Sequence, residues 1–320
     1  MDLKLYLQNS NNGVIYDVSE LATDIEVTKN IDGNAGKLTV LLQKDPRDLL
    51  PISNGSIVSF ICDKVGIFYG YVFTIGTDAT ATYKLTAYDQ MRYLKNEEVY
   101  VTQNLTSSQI FEKVCQDNQL RYAVKVPSGY VPSAFLHDKK SLFEIINRGI
   151  KMANVYENRQ FFITDEFGTL TWSELSVEKT NLIIGEQSLL TDYQYERTID
   201  KETYNQIKIY RENSESGKRD IWIAKDSDNI KRWGKLQLLE KADDNDTPAM
   251  IQDTIQKYLK LKNREVETLK LNALGVNGLT AGKGFKFVLD RENIHQDMWI
   301  VSSTHKYNKD THTMELEVFI

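Results

Sequence analysis

The sequence holds few of the residues that carry catalysis or covalent staples. Its 320 residues include two cysteines, four histidines and five prolines. Cys62 and Cys115 lie far apart among apolar neighbours, and no Cys-x-x-Cys occurs. This argues against a disulfide framework or a thiolate metal site and leaves each thiol as a small buried hydrophobe. No G-x-S-x-G, H-E-x-x-H or G-x-x-x-x-G-K-[ST] segment is present, so the nucleophile elbow, the zinc-protease helix and the phosphate loop are missing. Gly282-Lys283-Gly284 is too short for a phosphate loop and leads into a strand, so it reads as a turn. No apolar run approaches the roughly 18 residues of a membrane span. Met1-Asp2-Leu3-Lys4 lacks the basic start and apolar stretch of a secretory signal. The expectation is synthesis in the cytoplasm, no membrane insertion, and release inside an assembly or by lysis.

Positive charge is also short, with 39 Lys and Arg against 45 Asp and Glu and a net charge of −6. A general nucleic-acid binder wants a basic face, so that class is disfavoured. The acidic runs Asp226-Ser227-Asp228-Asn229 and Asp243-Asp244-Asn245-Asp246 lack the glycine and distal glutamate of an EF-hand loop. The second directly precedes a helix start, where negative charge is favourable. His305 and His312 flank a predicted turn and are placed to approach each other, His295 lies nearby, and His137 falls in a predicted loop. No cysteine or close carboxylate completes a metal set by spacing. No carboxylate pair stands out for glycoside hydrolysis. Catalytic, cofactor and metal residues are therefore expected to be none.

What the sequence does hold is alternation. The stretch 233–320 sets the pattern: one helix, then strands up to the last residue. Thr247-Pro248 reads as N-cap and first helical residue. Met250, Ile251, Ile255, Tyr258 and Leu259 fall on one face of a helix at about 248–263. Beyond it Leu269, Leu271 and Ala273, then Phe285, Phe287 and Leu289, recur with period two. Residues 298–307 and 312–320 form a closing hairpin across Asn308-Lys309-Asp310-Thr311, with Met314, Leu316, Val318 and Ile320 on one face.

Residues 1–98 read as six or seven short strands, including 24–28, 37–42, 57–62, 67–73 and 82–88. Asp32-Gly33-Asn34 and a hairpin-type Asn54-Gly55 mark turns, and Asp45-Pro46 and Leu50-Pro51 interrupt the pattern. Spacing of this kind suggests a small barrel or sandwich. Residues 99–176 change character. Thr106-Ser107-Ser108-Gln109 and Ser141-Leu142-Phe143-Glu144 are capping boxes of two helices. A hairpin of 155–164 and 169–172 follows across Asp165-Glu166-Phe167-Gly168. Residues 177–320 return to β, with strands expected at 191–199, 203–211 and 220–224 and a turn at Asn213-Ser214-Glu215-Ser216-Gly217. Tyr69, Tyr71, Tyr83, Tyr88 and Tyr93 crowd the first unit, where they suit either packing or an interface.

Several segments together resemble the YqbQ/XkdQ family of phage tail proteins. Gly66-Ile67-Phe68-Tyr69-Gly70-Tyr71-Val72 resembles that family's glycine-spaced aromatic strand, and Ala87-Tyr88-Asp89-Gln90-Met91-Arg92-Tyr93-Leu94-Lys95-Asn96 resembles its most specific segment. The hairpin at Asp165 to Leu170, the strand Asn205-Gln206-Ile207-Lys208-Ile209, Trp233-Gly234-Lys235-Leu236 and the closing hairpin match in the same order. The resemblance implies a mainly β fold with an α+β part: two tail-tube-like β-barrel domains, 1–98 and 177–320, separated by a small α+β domain, 99–176. It also implies a structural, non-enzymatic baseplate hub of a contractile tail-like particle, either phage or bacteriocin. The hub would be a homotrimer whose ring adapts a six-fold tail tube to a three-fold spike. It would contact tube protein, spike protein, other baseplate proteins and the end of the tape-measure protein. Trimer contacts are expected from strands of both barrels and from the helix at 248–263, with Lys257 and Lys260 on its outer face. The competing reading is a wall-glycan binder or hydrolase, suited by barrels and tyrosines.

Overall fold

Alternating apolar residues build the first strands of the protein, described here from a computed structural model covering residues 1–44, 50–77, 82–213, 218–242 and 246–319. The Asp45-Pro46 break, most of the turn at 213–217, Asp243 to Asn245 and Ile320 lie outside the described residues. The N-terminal part contains β1 (Leu3–Gln8), β2 (Ile15–Asp17), β3 (Ala22–Asn30), β4 (Lys37–Gln43), β5 (Ile57–Cys62), β6 (Val65–Thr77) and β7 (Thr82–Tyr88). Their inward residues, among them Leu5, Leu38, Phe60, Phe68 and Leu85, form one core. The two-residue hairpin turn between β5 and β6 is Asp63-Lys64, with φ 47° and 68°. Both residues sit in the left-handed region that a type I′ turn demands. Asn54-Gly55 instead leads the chain into β5, so the stronger dipeptide signal marks the weaker feature.

The middle part runs β8 (Glu97–Thr102), α1 (Ser107–Asp117), β9 (Tyr122–Val124), β10 (Phe135–Ser141), α2 (Leu142–Glu157), β11 (Phe161–Asp165) and β12 (Leu170–Glu174). Both capping boxes form: Thr106 and Gln109 exchange hydrogen bonds at the start of α1, and Ser141 and Glu144 do so at α2. Thr106→Ala is expected to cost about 1 kcal/mol, as loss of an N-cap usually does. A thermal melt against the wild type measures it, and an unchanged midpoint would count against the cap. Two expectations are corrected here. Residues 155–157 still belong to α2, which ends at Asn158 in the left-handed conformation, so the hairpin strand starts only at Phe161. His137 lies in β10, not in a loop, and is buried with its ring against Phe135. Phe111, Leu142, Ile146 and Trp172 centre this second core.

β13 (Lys179–Gly185) and β14 (Leu190–Thr198) return to sheet. The chain then leaves it for β15 (Gln206–Asn213), β16 (Lys218–Lys225), α3 (Ser227–Trp233), β17 (Gln237–Lys241) and α4 (Pro248–Lys262). β15 pairs with β16 and β17 in a separate three-stranded sheet, and Ile251 and Ile255 of α4 pack on Ile207, Ile209 and Ala224. Thr247 caps α4 as its sequence indicates, through Met250 N at 3.3 Å. Lys257 is not on the helix's outer face. It pairs with Asp253 at 2.9 Å and lies over the Tyr156 ring of α2.

β18 (Val266–Leu274), β19 (Gly284–Leu289), β20 (Ile294–Tyr307) and β21 (His312–Phe319) complete the chain around a core with Phe285, Phe287, Met298 and Leu316. β20 also pairs antiparallel with β3, Val27 opposite His305. That pairing merges the first and last strands into one 13-stranded sheet.

Candidate functional site

Three of the segments that carry the family resemblance, at 66–72, 87–96 and 165–170, lie far apart in sequence yet meet where the first and middle cores adjoin. Asp89 is buried just past β7. Its carboxylate accepts from Met91 N, capping a 3-10 turn at Gln90–Lys95, and from Gly36 N, each at 3.0 Å. Gln90 reaches the other way. Its side-chain amide donates to Gly168 O at 2.5 Å and accepts from Arg121 N at 3.3 Å. The hairpin at Asp165 closes against it, with Gly168 N donating to Asp165 Oδ1 at 2.6 Å.

Close approach explains the glycines. Gly168 sits at φ +81°, and a Cβ there would lie 2.5 Å from the Tyr69 ring. A Cβ on Gly66 would lie 2.7 Å from the Phe167 ring. Arg121 lies over the Tyr69 ring, 4.9 Å from its centroid. The rings meet edge to face: Tyr69 with Tyr71, Tyr71 with Tyr93, and Phe73 with Tyr88. Tyr83 stands apart beneath Lys44. These rings are packing surface, half-buried and largely used within the chain.

Charge is concentrated at the same junction. Lys29 of β3 is buried and donates to Asp165 O at 3.0 Å. Burial pushes the Asp89 carboxyl well up, and the neighbouring Asp165 adds to it, while Lys29 opposes. Burial likewise raises Asp165 against the pull of Lys29. Burial also opposes ionisation of Glu178, but hydrogen bonds from Lys125, Lys283 and Ser173 outweigh it and hold its carboxyl at about 2. Lys125 bridges Glu166 at 2.7 Å and Glu178 at 2.8 Å, and Lys283 joins Glu178 from the last core. Gly282-Lys283-Gly284 is thus a turn with a second task. Gly282, at φ +88°, lets the chain pass against Phe162 of β11.

His305 and His312 do meet, Nδ1 to Nε2 at 2.9 Å. His305 Nε2–H donates to Leu279 O at 2.8 Å, so its Nδ1 accepts from His312. Burial lowers both imidazoles to about 4, with each ring's neighbours modulating the effect. A cavity of about 270 Å³ lies between the cores, lined by Lys29, Asp165, Glu178, Lys283, His305 and Tyr307. His295 pairs with Asp290 away from it. Cys62 and Cys115 are buried and free.

Asp226 is accounted for as a helix cap. It accepts from Asp228 N and Asn229 N at 2.9 Å each and from Asn263 Nδ2 at 2.8 Å. Among the described residues no cluster of metal-ligating side chains and no helix long and apolar enough to cross a membrane occurs. The junction's carboxylates are tied to amides and lysines except at Asp165 Oδ2, which is buried without a hydrogen-bond partner, and what this arrangement does is fix three cores relative to one another. Sequence reading singled out Asp89, Gln90 and Gly168 only as parts of matched segments, and it missed Lys29, Lys125, Glu178 and Arg121. Single charged residues in strands and loops carry no pattern that would reveal them.

The YQBQ-like family model matches residues 25–319. The phage-like element PBSX protein XkdQ of Bacillus subtilis is 26% identical over 289 residues, 88% of this chain and 86% of its own. Among solved structures, the 43 kDa tail protein of prophage MuSo2 from Shewanella oneidensis superposes with a TM-score of 0.72 at 14% identity, covering 98% of each chain. The E. coli c3393 protein, described as a type VI secretion component similar to the T4 tail proteins gp27 and gp5, gives 0.58 at 11% identity, over 93% of this chain and 73% of its own. With the family model spanning the junction and most of the cores around it, the chain belongs to the YQBQ-like family.

Proposed function

We propose that this protein is the structural baseplate hub of a contractile tail-like particle and acts by geometry and binding, not by catalysis. In this reading residues 1–98 and 177–320 are two tail-tube-like barrel domains, and residues 99–176 are the α+β domain between them. Three copies close into a ring presenting six such units to the tube and three-fold symmetry to the spike. The observation that carries it is the β3–β20 pairing, which makes the first and last β parts one continuous sheet braced by the junction. An adaptor of this kind needs two tube-like units held at a fixed angle, and shared sheet hydrogen bonds give that rigidity. The full-length likeness in fold to the prophage MuSo2 tail protein supports the reading. The tyrosines that suited a sugar-binding face pack partly edge to face on each other, which favours packing over a sugar-binding face.

Light scattering across a range of protein concentrations, with and without the spike protein, tests the ring. A native mass of three chains is expected. A single-chain mass in both conditions would sink the proposal, and retention on purified cell walls would revive the alternative.

A further inference from the structure

The cavity of about 270 Å³ between the cores has no task in a purely structural hub. Its size lies just below the roughly 300–1,000 Å³ of small-molecule pockets, which suits a small ligand. All three parts of the chain supply its wall: β3 and β6 of the first, β11 of the middle, and the turn before β19 together with β20 of the last. Lys125 and Glu166 line it and are each more than a third exposed, which places its mouth beside them.

Most of the charge in this wall is already matched. Lys125 bridges Glu166 and Glu178, and Lys283 bridges the same two carboxylates. His305 is engaged at both ring nitrogens, by Leu279 O and by His312. Three lining groups keep unused hydrogen-bonding capacity. Asp165 accepts from Gly168 N through Oδ1, but its Oδ2 has no partner among the described residues. The Tyr307 hydroxyl has none either. The Lys29 ammonium carries three donors and makes one hydrogen bond, to Asp165 O. All three residues are more than nine-tenths buried, where an unmatched polar group is costly. The remaining wall is largely apolar, from Val27, Ile67, Phe162 and Ala281.

We propose that this cavity binds one small neutral polyol, of the size of a single pyranose sugar. A hydroxyl donates one hydrogen bond and accepts two, so adjacent hydroxyls serve an ammonium, a carboxyl oxygen and a phenol together. Burial raises the Asp165 carboxyl. A hydroxyl donates to the ionised form and accepts from the protonated one, so the match holds in either state. An anionic ligand would meet the ionised Asp165 with like charge, and a cationic ligand would meet Lys29 the same way. The C–H face of a sugar ring suits the apolar wall. A ligand held by β3, β11 and β20 ties the three parts through one molecule and stabilises the folded chain by mass action. This goes beyond the hub reading, which requires no ligand.

Isothermal titration calorimetry on the full chain tests it, with D-glucose, N-acetyl-D-glucosamine and myo-inositol as probes and sodium acetate and acetamide as controls. At least one polyol is expected to bind saturably, one per chain, and to raise the melting midpoint with its concentration. Asp165→Asn keeps the oxygen that accepts from Gly168 N and should weaken binding at least about tenfold. Tyr307→Phe removes only an unpartnered hydroxyl, so the fold should stand while affinity falls about threefold or more. Tyr307→Phe decides alone if Asp165→Asn does not fold. No saturable heat from any of the three polyols would overturn the proposal. Wild-type affinity in the folded variants would overturn this cavity as the site. Binding of acetate or acetamide in place of the polyols would overturn the ligand class. These readouts are independent of native mass, so the hub reading stands or falls separately.

Discussion

Gly168→Ala should destabilise the protein by about 3 kcal/mol, combining a left-handed backbone penalty of roughly 1–2 kcal/mol with the strain of overpacking. The residue sits at φ +81°, and its new methyl would lie 2.5 Å from the Tyr69 ring and 2.7 Å from Arg121 Nη2. Neither neighbour has room to retreat freely. Tyr69 packs edge to face against Tyr71 and Phe167, and Arg121 is held over Tyr69. A shift of the hairpin would also strain the bonds from Gln90 to Gly168 O and from Gly168 N to Asp165. Gly129→Ala is the control, since a Cβ there meets nothing within 4 Å and its φ is not positive. Denaturant midpoints at equal m-values compare the two. Equal midpoints would mean that the junction is slack and that the glycine is not required.

Acid should weaken the fold between about pH 6.5 and 4. Burial holds His137, His305 and His312 at about 4 in the folded chain, against 6.5 for the free side chain. The unfolded chain thus binds protons first as the pH falls. Stability from these residues is fully present above the unfolded value and is lost as the pH descends toward the folded one. For a fully buried imidazole such as His305 the loss is about 3 kcal/mol. Asp89 and Asp165 act in the opposite sense, because their raised carboxyls take up protons more readily in the folded chain. The slope of unfolding free energy against pH is the readout, measured for wild type, His305→Gln and His137→Gln. Each variant should have a flatter slope over this window, whatever its absolute stability. Slopes identical to the wild type would show that neither imidazole is the acid-sensitive group.

Much of this architecture was legible from local chemistry. Thr106, Ser141 and Thr247 announce their helices because N-cap bonding depends on residues within one turn. Leu269, Leu271 and Ala273 announce their strand because one face is buried and the other wet. The limits also have physical causes. Residues 155–157 look like strand, with a β-branched valine and a tyrosine, yet the Ser141 box and the packing of Ile146, Ile150 and Ala153 extend α2 through them. The β15–β17 sheet reads the same as the large sheet, since alternation states that a strand has a buried face but not which partner covers it. His137 reads as loop because the polar run Asp138-Lys139-Lys140 follows it, while in the fold its ring is covered by Phe135 of the same strand. At the junction, the Gln90 and Gly168 partnership spans 78 residues, and no local rule encodes a contact at that range.

The pairing of β3 with β20 also has a consequence in time. Thr28 and Thr304 share a hydrogen bond across 276 residues of chain. At a synthesis rate of about 5–20 residues per second, the partner of β3 leaves the ribosome roughly 15–55 seconds after β3 itself. During that interval the N-terminal strands are complete enough to collapse, but β3 presents an unpaired edge, the kind of surface on which strands of other chains add. Closing so distant a contact is intrinsically slow. The same pairing that makes the finished molecule one continuous sheet therefore leaves the nascent chain with an open edge until β20 is made. Truncations that remove β20 should accumulate as aggregates, not as a soluble N-terminal fragment.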